Sequence, residues 1–148
     1  MSSTRLSKTD LTQAVLKYLN NNKLMALATS WQDKSWSATV FFAYDNKLNL
    51  LFYSKEDTRH CQNIEKNPFV SVAVNQDWGT ARAVKGLQLA GQAEKIAFKD
   101  HKKYYGLYKS RYPWADEFPD HTLYIIKPSE IWYIDQKLFG HFYRVRVI

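Results

Sequence analysis

Five side chains able to hold an anion crowd into residues 54–60: Ser54, Lys55, Thr58, Arg59 and His60. The two hydroxyls donate hydrogen bonds, and the Arg59 guanidinium can bond two phosphate oxygens at once. Lys55 and a protonated His60 add positive charge. An apolar strand, Leu50-Leu51-Phe52-Tyr53, runs into this cluster, and a turn through Ser54–Asp57 leads out of it. A short polar helix is predicted over Asp57–Lys66, stopped by Asn67-Pro68. A helix start presents free backbone N–H groups and the positive end of the helix dipole. The chemistry these residues suit is therefore phosphate binding. Read alone, they suit a solvated helix start equally well.

Elsewhere the chemical signals are sparse. Cys61 sits in the first turns of that helix, where Arg59 can lower a thiol pKa, but Ile64 three residues on argues for a buried, structural cysteine. His60, His101, His121 and His141 share no metal-type spacing. No GxGxxG, P-loop, GxSxG or HExxH motif is present. Lys102, Lys103, Lys109 and Arg111 interleave with tyrosines, a pattern that can stack on nucleic acid or draw in an anionic substrate; a solvated basic face is the simpler reading.

The elements that must position the cluster follow from periodicity. A helix capped at Ser7–Asp10 places Leu11, Val15, Tyr18 and Leu19 on one face. Strands are predicted at Leu24–Thr29, Trp36–Tyr44, Leu48–Ser54 and Phe69–Val74. A polar loop over Gln76–Ala83 holds Trp78. A long strand, Lys85–Ile96, bends at Gly91. A helix over Phe98–Arg111 ends at Pro113, and a loop follows over Trp114–His121. Two late strands, Thr122–Lys127 and Glu130–Asp135, join at Pro128-Ser129, and Tyr143–Val147 reads as an edge strand. Many short strands with outer helices point to an antiparallel barrel.

A chain of 148 residues with 45% apolar residues suits one domain, 1–148, with residues 1–6 as a loose tail. The net charge of +7 favours anionic partners: phosphorylated cofactors, nucleic acid or membrane surfaces. One cysteine excludes an internal disulfide framework and suits the cytoplasm. The N-terminus lacks an apolar signal core and no window is apolar enough to span a bilayer, so no membrane association is expected.

The segment Phe52–Pro68, FYSKEDTRHCQNIEKNP, resembles the flavin-phosphate segment of the pyridoxamine 5′-phosphate oxidase family, the FMN-binding split barrels. Tyr53-Ser54, then Thr58-Arg59-His60, then Asn63–Pro68 match it in order. A second block, KGLQLAGQAEKI over Lys85–Ile96, resembles that family's xVxIxGxVEKL strand, at the family's separation. The resemblance covers roughly residues 22–135 and is to a small bacterial branch. It implies a mainly β split barrel of six to seven antiparallel strands with flanking helices. It implies FMN, with Trp36, Ser37, Ala38 and Thr39 along the flavin ring and Tyr53, Ser54, Lys55, Thr58, Arg59 and His60 around its phosphate. Trp36, Phe41 and Phe42 can cover ring faces or fill core. The resemblance further implies a homodimer whose groove is completed by the partner subunit's Trp132, Lys137 and Phe139, and a small-molecule substrate reduced or oxidised there.

Several positions depart from the family pattern. Ser37 and Phe42 stand where it has basic side chains, so either the phosphate is held more weakly or Lys34, Lys55 or Lys85 substitutes. His60 stands where it has lysine, which makes phosphate affinity depend on pH. Gly86 stands where it has an amide, so Gln88 is not carried over as a ligand. The run Asp135–Arg144 lacks the Arg-x-His-Asp-Arg segment that grips substrate in true vitamin B6 oxidases. The expected function is thus a small FMN-dependent oxidoreductase of another specificity. The alternatives are a non-catalytic flavin or haem sensor and, further off, a nucleic-acid-binding barrel.

Overall fold

The structure, a computed structural model, describes residues 6–76, 83–140 and 143–148. Trp78 and His141 lie outside the described residues. Helix α1 (Lys8–Asn20) precedes β1 (Leu24–Trp31), β2 (Lys34–Phe41), β3 (Ala43–Tyr44) and β4 (Leu50–Ser54). Then come α2 (Arg59–Lys66), β5 (Phe69–Asn75), β6 (Lys85–Lys95), α3 (His101–Arg111), β7 (Thr122–Asp135), α4 (Gln136–Phe139) and β8 (Arg144–Arg146). Every strand pairing is antiparallel, in the order β2-β1-β5-β6-β7-β4-β3, with β8 added on β7.

The two ends of that order, β2 and β3, are separated in the chain by Phe42 alone. The sheet must therefore curl until its edges meet there, which makes it a barrel. The sequence predicts one strand over Trp36–Tyr44; the structure breaks it at Phe42 because the backbone changes partner. The Phe42 N–H donates to the Lys23 carbonyl at 3.0 Å. Its carbonyl accepts from the buried Tyr112 hydroxyl at 2.5 Å, and that hydroxyl is also 3.2 Å from the Lys23 carbonyl. Tyr112→Phe leaves the Phe42 carbonyl buried without its partner and should cost about 1–3 kcal/mol in urea denaturation. Unchanged stability would mean that the hydroxyl does not hold the corner.

The core has two layers. Strand alternation sends Met25, Leu27, Val70, Val72, Val74, Leu50, Phe52 and Ile126 into the barrel, where Leu11, Val15, Tyr18 and Leu19 of α1 cover them. β4 and β7 are buried on both faces: Leu51, Leu123 and Ile125 point outward against Tyr108 and Tyr112. That explains their unbroken apolar runs.

β7 is one strand, where the sequence predicts two. Ala90 pairs with Glu130 and Gly91 with Pro128, so Ser129 bulges out of register and absorbs the proline without ending the strand. The turn expected at Trp31–Lys34 is a two-residue hairpin with positive φ at Gln32 (51°) and Asp33 (59°). The four-residue α4 has no clear periodic signal; Asp135 builds it by accepting from the Lys137 and Leu138 N–H groups.

Candidate functional site

The alternation of β4 buries Phe52 and Ser54 and turns Tyr53 to the opposite face. Thr58 caps α2: its hydroxyl accepts from the Cys61 N–H at 3.4 Å and donates to the Lys55 carbonyl at 2.8 Å. α2 buries His60, Cys61 and Ile64. The His60 Nε2 lies 2.9 Å from the Ser54 hydroxyl and 3.4 Å from that of Thr58. Ser54, Thr58 and His60 thus form one hydrogen-bonded knot beneath the helix start. Burial pushes the Cys61 thiol up, as the structural reading of that residue requires.

Burial also pushes the His60 imidazole below its ordinary 6.5, so it stays neutral near pH 7. A depressed histidine pKa means that the unfolded chain takes up the proton first. Its contribution to stability is therefore present above the unfolded value and is lost as pH falls below about 6.5, by at most about 1.4 kcal/mol per pH unit. His60→Gln should flatten the pH dependence of urea unfolding between pH 5 and 7. An unchanged slope would place the titration elsewhere.

Arg59 takes the other face of α2. Its guanidinium lies 4.3 Å from the centre of the Trp36 ring, and Lys66, two turns on, lies 5.6 Å from that of Trp31. The tryptophans of the β1–β2 hairpin thus carry both cations. Among the described residues the Arg59 and His60 N–H groups have no acceptor, as expected for the first turn of a helix. These two donors and the Arg59 guanidinium are the candidate anion-binding set.

Lys55 and Tyr53 are drawn away from it. The Lys55 ammonium lies 3.6 Å from Asp120 and 3.9 Å from Asp57. The Tyr53 hydroxyl donates to the Phe118 carbonyl at 2.7 Å, and its ring packs on Tyr105, Tyr108 and His121. Lys85, another candidate substitute, pairs with Asp135 at 3.9 Å.

β2 separates two faces. Trp36 and Ala38 pair with Thr29 and Leu27, which point into the barrel; Ser37 and Thr39 pair with Ala28 and Ala26, which point out. The outward face continues through Ser71 and Ala73 of β5 and Gln88 and Ala90 of β6 to Trp132 of β7. Its small side chains form the bed of an open groove of about 410 Å³. One wall is Trp132, whose indole N–H donates to Glu130 at 2.6 Å and whose ring lies 4.6 Å from the Arg144 guanidinium. Gln88 lines this groove, facing Arg144 at 3.4 Å. The signal for the bed was present in the sequence as alternating small residues, Ala26-x-Ala28 and Ser71-x-Ala73, but it means nothing until register aligns them. Of the two phenylalanines, Phe42 is core, while Phe41 is 42% exposed and packs on Tyr112 and Trp114.

The family model described as pyridoxamine 5′-phosphate oxidase matches residues 11–135. A UPF0306 protein of Klebsiella pneumoniae is 27% identical over 133 residues, covering 88% of this chain and 90% of that protein. A heme binding protein of Mycobacterium smegmatis superposes with a TM-score of 0.76 at 14% identity, over 97% of this chain but only 60% of that one. This chain therefore spans about three fifths of that neighbour's length. A FAD-binding protein of Mesorhizobium loti superposes with a TM-score of 0.67 at 20% identity, over 85% of this chain and 90% of its own. The structural likenesses show the fold, a mainly β split barrel. Its curled antiparallel sheet and flanking helices, together with the match over most of its length, show that this chain belongs to the pyridoxamine 5′-phosphate oxidase family.

Proposed function

We propose that this protein is an FMN-binding flavoprotein, a small cytoplasmic oxidoreductase that works as a homodimer and is not a vitamin B6 oxidase. The observation that carries the reading is the start of α2. There Arg59 lies against Trp36 beside two unpartnered N–H groups. That donor set suits a phosphate dianion. The flat bed of small side chains beyond β2 suits a planar ring. When bound, FMN supplies the hydride or electron transfer. The chain's own part is to anchor the phosphate through Arg59, to hold Ser54 through His60, and to present β2 to the ring. Phe69, 64% exposed, and Leu24, 48% exposed, lie beside the bed, and a second copy of the chain would cover them and keep water out. The buried, free Cys61 fits a reducing compartment. The FAD-binding and heme binding neighbours show that this fold houses flat cofactors, which supports the reading without choosing between them.

The test is the ligand released from native protein, with light scattering on the same sample. Flavin absorption, FMN by mass and a particle of twice 17.4 kDa are expected. A Soret band would assign haem instead, and a monomer binding one flavin per chain would remove the dimer from the reading.

A further inference from the structure

α1 lies across the barrel, and beneath its last turn is a recess of about 420 Å³. Three lysines from three elements line it: Lys17 of α1, Lys85 at the start of β6 and Lys137 of α4. Among the described residues its one acid is Asp135, which is buried and already engaged. One carboxylate oxygen accepts from the Lys137 and Leu138 N–H groups at 3.1 and 3.2 Å. The other accepts from the Tyr133 hydroxyl at 3.1 Å and lies 3.9 Å from the Lys85 ammonium. Among the described residues Lys17 and Lys137 have no carboxylate within ion-pair distance. Among the described residues, three cations against one anion leave the recess at +2. Tyr18 and Tyr133, with ring centres 5.5 Å apart, wall it. Like charges gathered around a concave recess focus a positive field inward. The volume is that of a small-molecule site, and barrel mouths are a usual place for one.

We propose that this recess is a second ligand site, separate from the anion site at α2, and that it takes a small multivalent anion: a phosphorylated metabolite or a polycarboxylate. It shares no residue with the anion-binding set at the start of α2, and Lys85 and Lys137, which the resemblance offered to the flavin site, line this recess beside Asp135. Lysines at its rim act as mobile point charges that can close on anions of differing shape, which suits recognition by charge more than by geometry.

The test is calorimetric titration of inorganic pyrophosphate and, separately, citrate into flavin-free protein at constant ionic strength. Saturable binding of one anion per chain is expected. Lys17→Gln and Lys137→Gln should each weaken it about fivefold, and the double variant about 25-fold, the upper end for partly exposed ion pairs. Lys85 is left in place because its loss would strand the buried Asp135 charge. Lys99→Gln/Lys102→Gln, which removes the same charge outside the recess, should change binding less than twofold. Arg59→Ala should leave it unchanged. Preference for pyrophosphate over citrate would assign the phosphorylated class, and the reverse the polycarboxylates. Absence of saturable heat, equal losses in both double variants, or loss in Arg59→Ala would each overturn the proposal.

Discussion

Gly91→Ala should lower the unfolding free energy by about 3 kcal/mol or more, the range reached when a side chain is forced into space already filled. A Cβ built at residue 91 falls 2.3 Å from the Lys127 carbonyl oxygen and 2.9 Å from the Pro128 Cα. Both are backbone atoms of the neighbouring strand, so no rotamer change relieves the clash. The strands can only separate, and they separate at the bulge where Gly91 pairs with Pro128. β6 and β7 are central in the sheet and carry Gln88 and Trp132 of the groove, so the damage extends from stability to the groove. Two other glycines provide controls. A Cβ at Gly86 meets nothing closer than 3.8 Å, so Gly86→Ala should be tolerated. A Cβ at Gly106, in the middle of α3, meets nothing within 4 Å, and Gly106→Ala should stabilise the protein by roughly 0.5–1 kcal/mol through helix propensity. Urea denaturation of the three variants decides it. A Gly91→Ala protein as stable as Gly86→Ala would show that the strands are not in contact at the bulge.

Arg59→Ala should cost roughly 1.5–3 kcal/mol of FMN affinity, the range for hydrogen bonds to a charged group, and leave riboflavin affinity within twofold. Arg59 does not belong to the buried knot of Ser54, Thr58 and His60, so its removal leaves the fold of α2 intact. Only the phosphate separates FMN from riboflavin, so the difference between the two ligands isolates the guanidinium contact. Arg59→Lys should recover only part of the loss, because a lysine cannot bond two oxygens in one plane. Flavin fluorescence titration at pH 7.5 measures wild type and both variants with each of the two flavins. Equal losses for both flavins would mean that Arg59 acts on the ring or on Trp36 and not on the phosphate.

The His60 side chain shows why the site was only partly legible in the sequence. From spacing, His60 belongs with Thr58 and Arg59 at one helix start, and all three read as anion ligands. A helix has two faces, and which face packs depends on what lies beneath it. Phe52 and Ser54 of β4 lie beneath it, so the imidazole is buried, hydrogen-bonded and neutral, while Arg59 is sent outward to Trp36. Lys55 lies beside Ser54 in sequence, yet it turns to Asp120, 65 residues away. No local pattern announces that partner.

What the sequence determined by itself was local in origin. The apolar periods set α1, the strands and their inward faces; Asn67-Pro68 set the end of α2; the Ser/Thr-Arg cluster set the donors that its start carries. These follow from steric preference and from which side chains must leave water, and both act over a few residues. Tertiary structure decided what depends on alignment between strands far apart in the chain. It broke the second strand at Phe42, because the backbone there changes partner to Lys23 and to Tyr112, just past the end of α3. It joined β7 across Pro128, because Gly91 opposite leaves room for a bulge. It laid Ala28, Ser71, Ala90 and Trp132 side by side as one groove, and brought Lys17, Lys85 and Lys137 around one recess. Register sets these juxtapositions, and it is chosen by the packing of the whole barrel, since a slip of one residue would turn every inward side chain out into water.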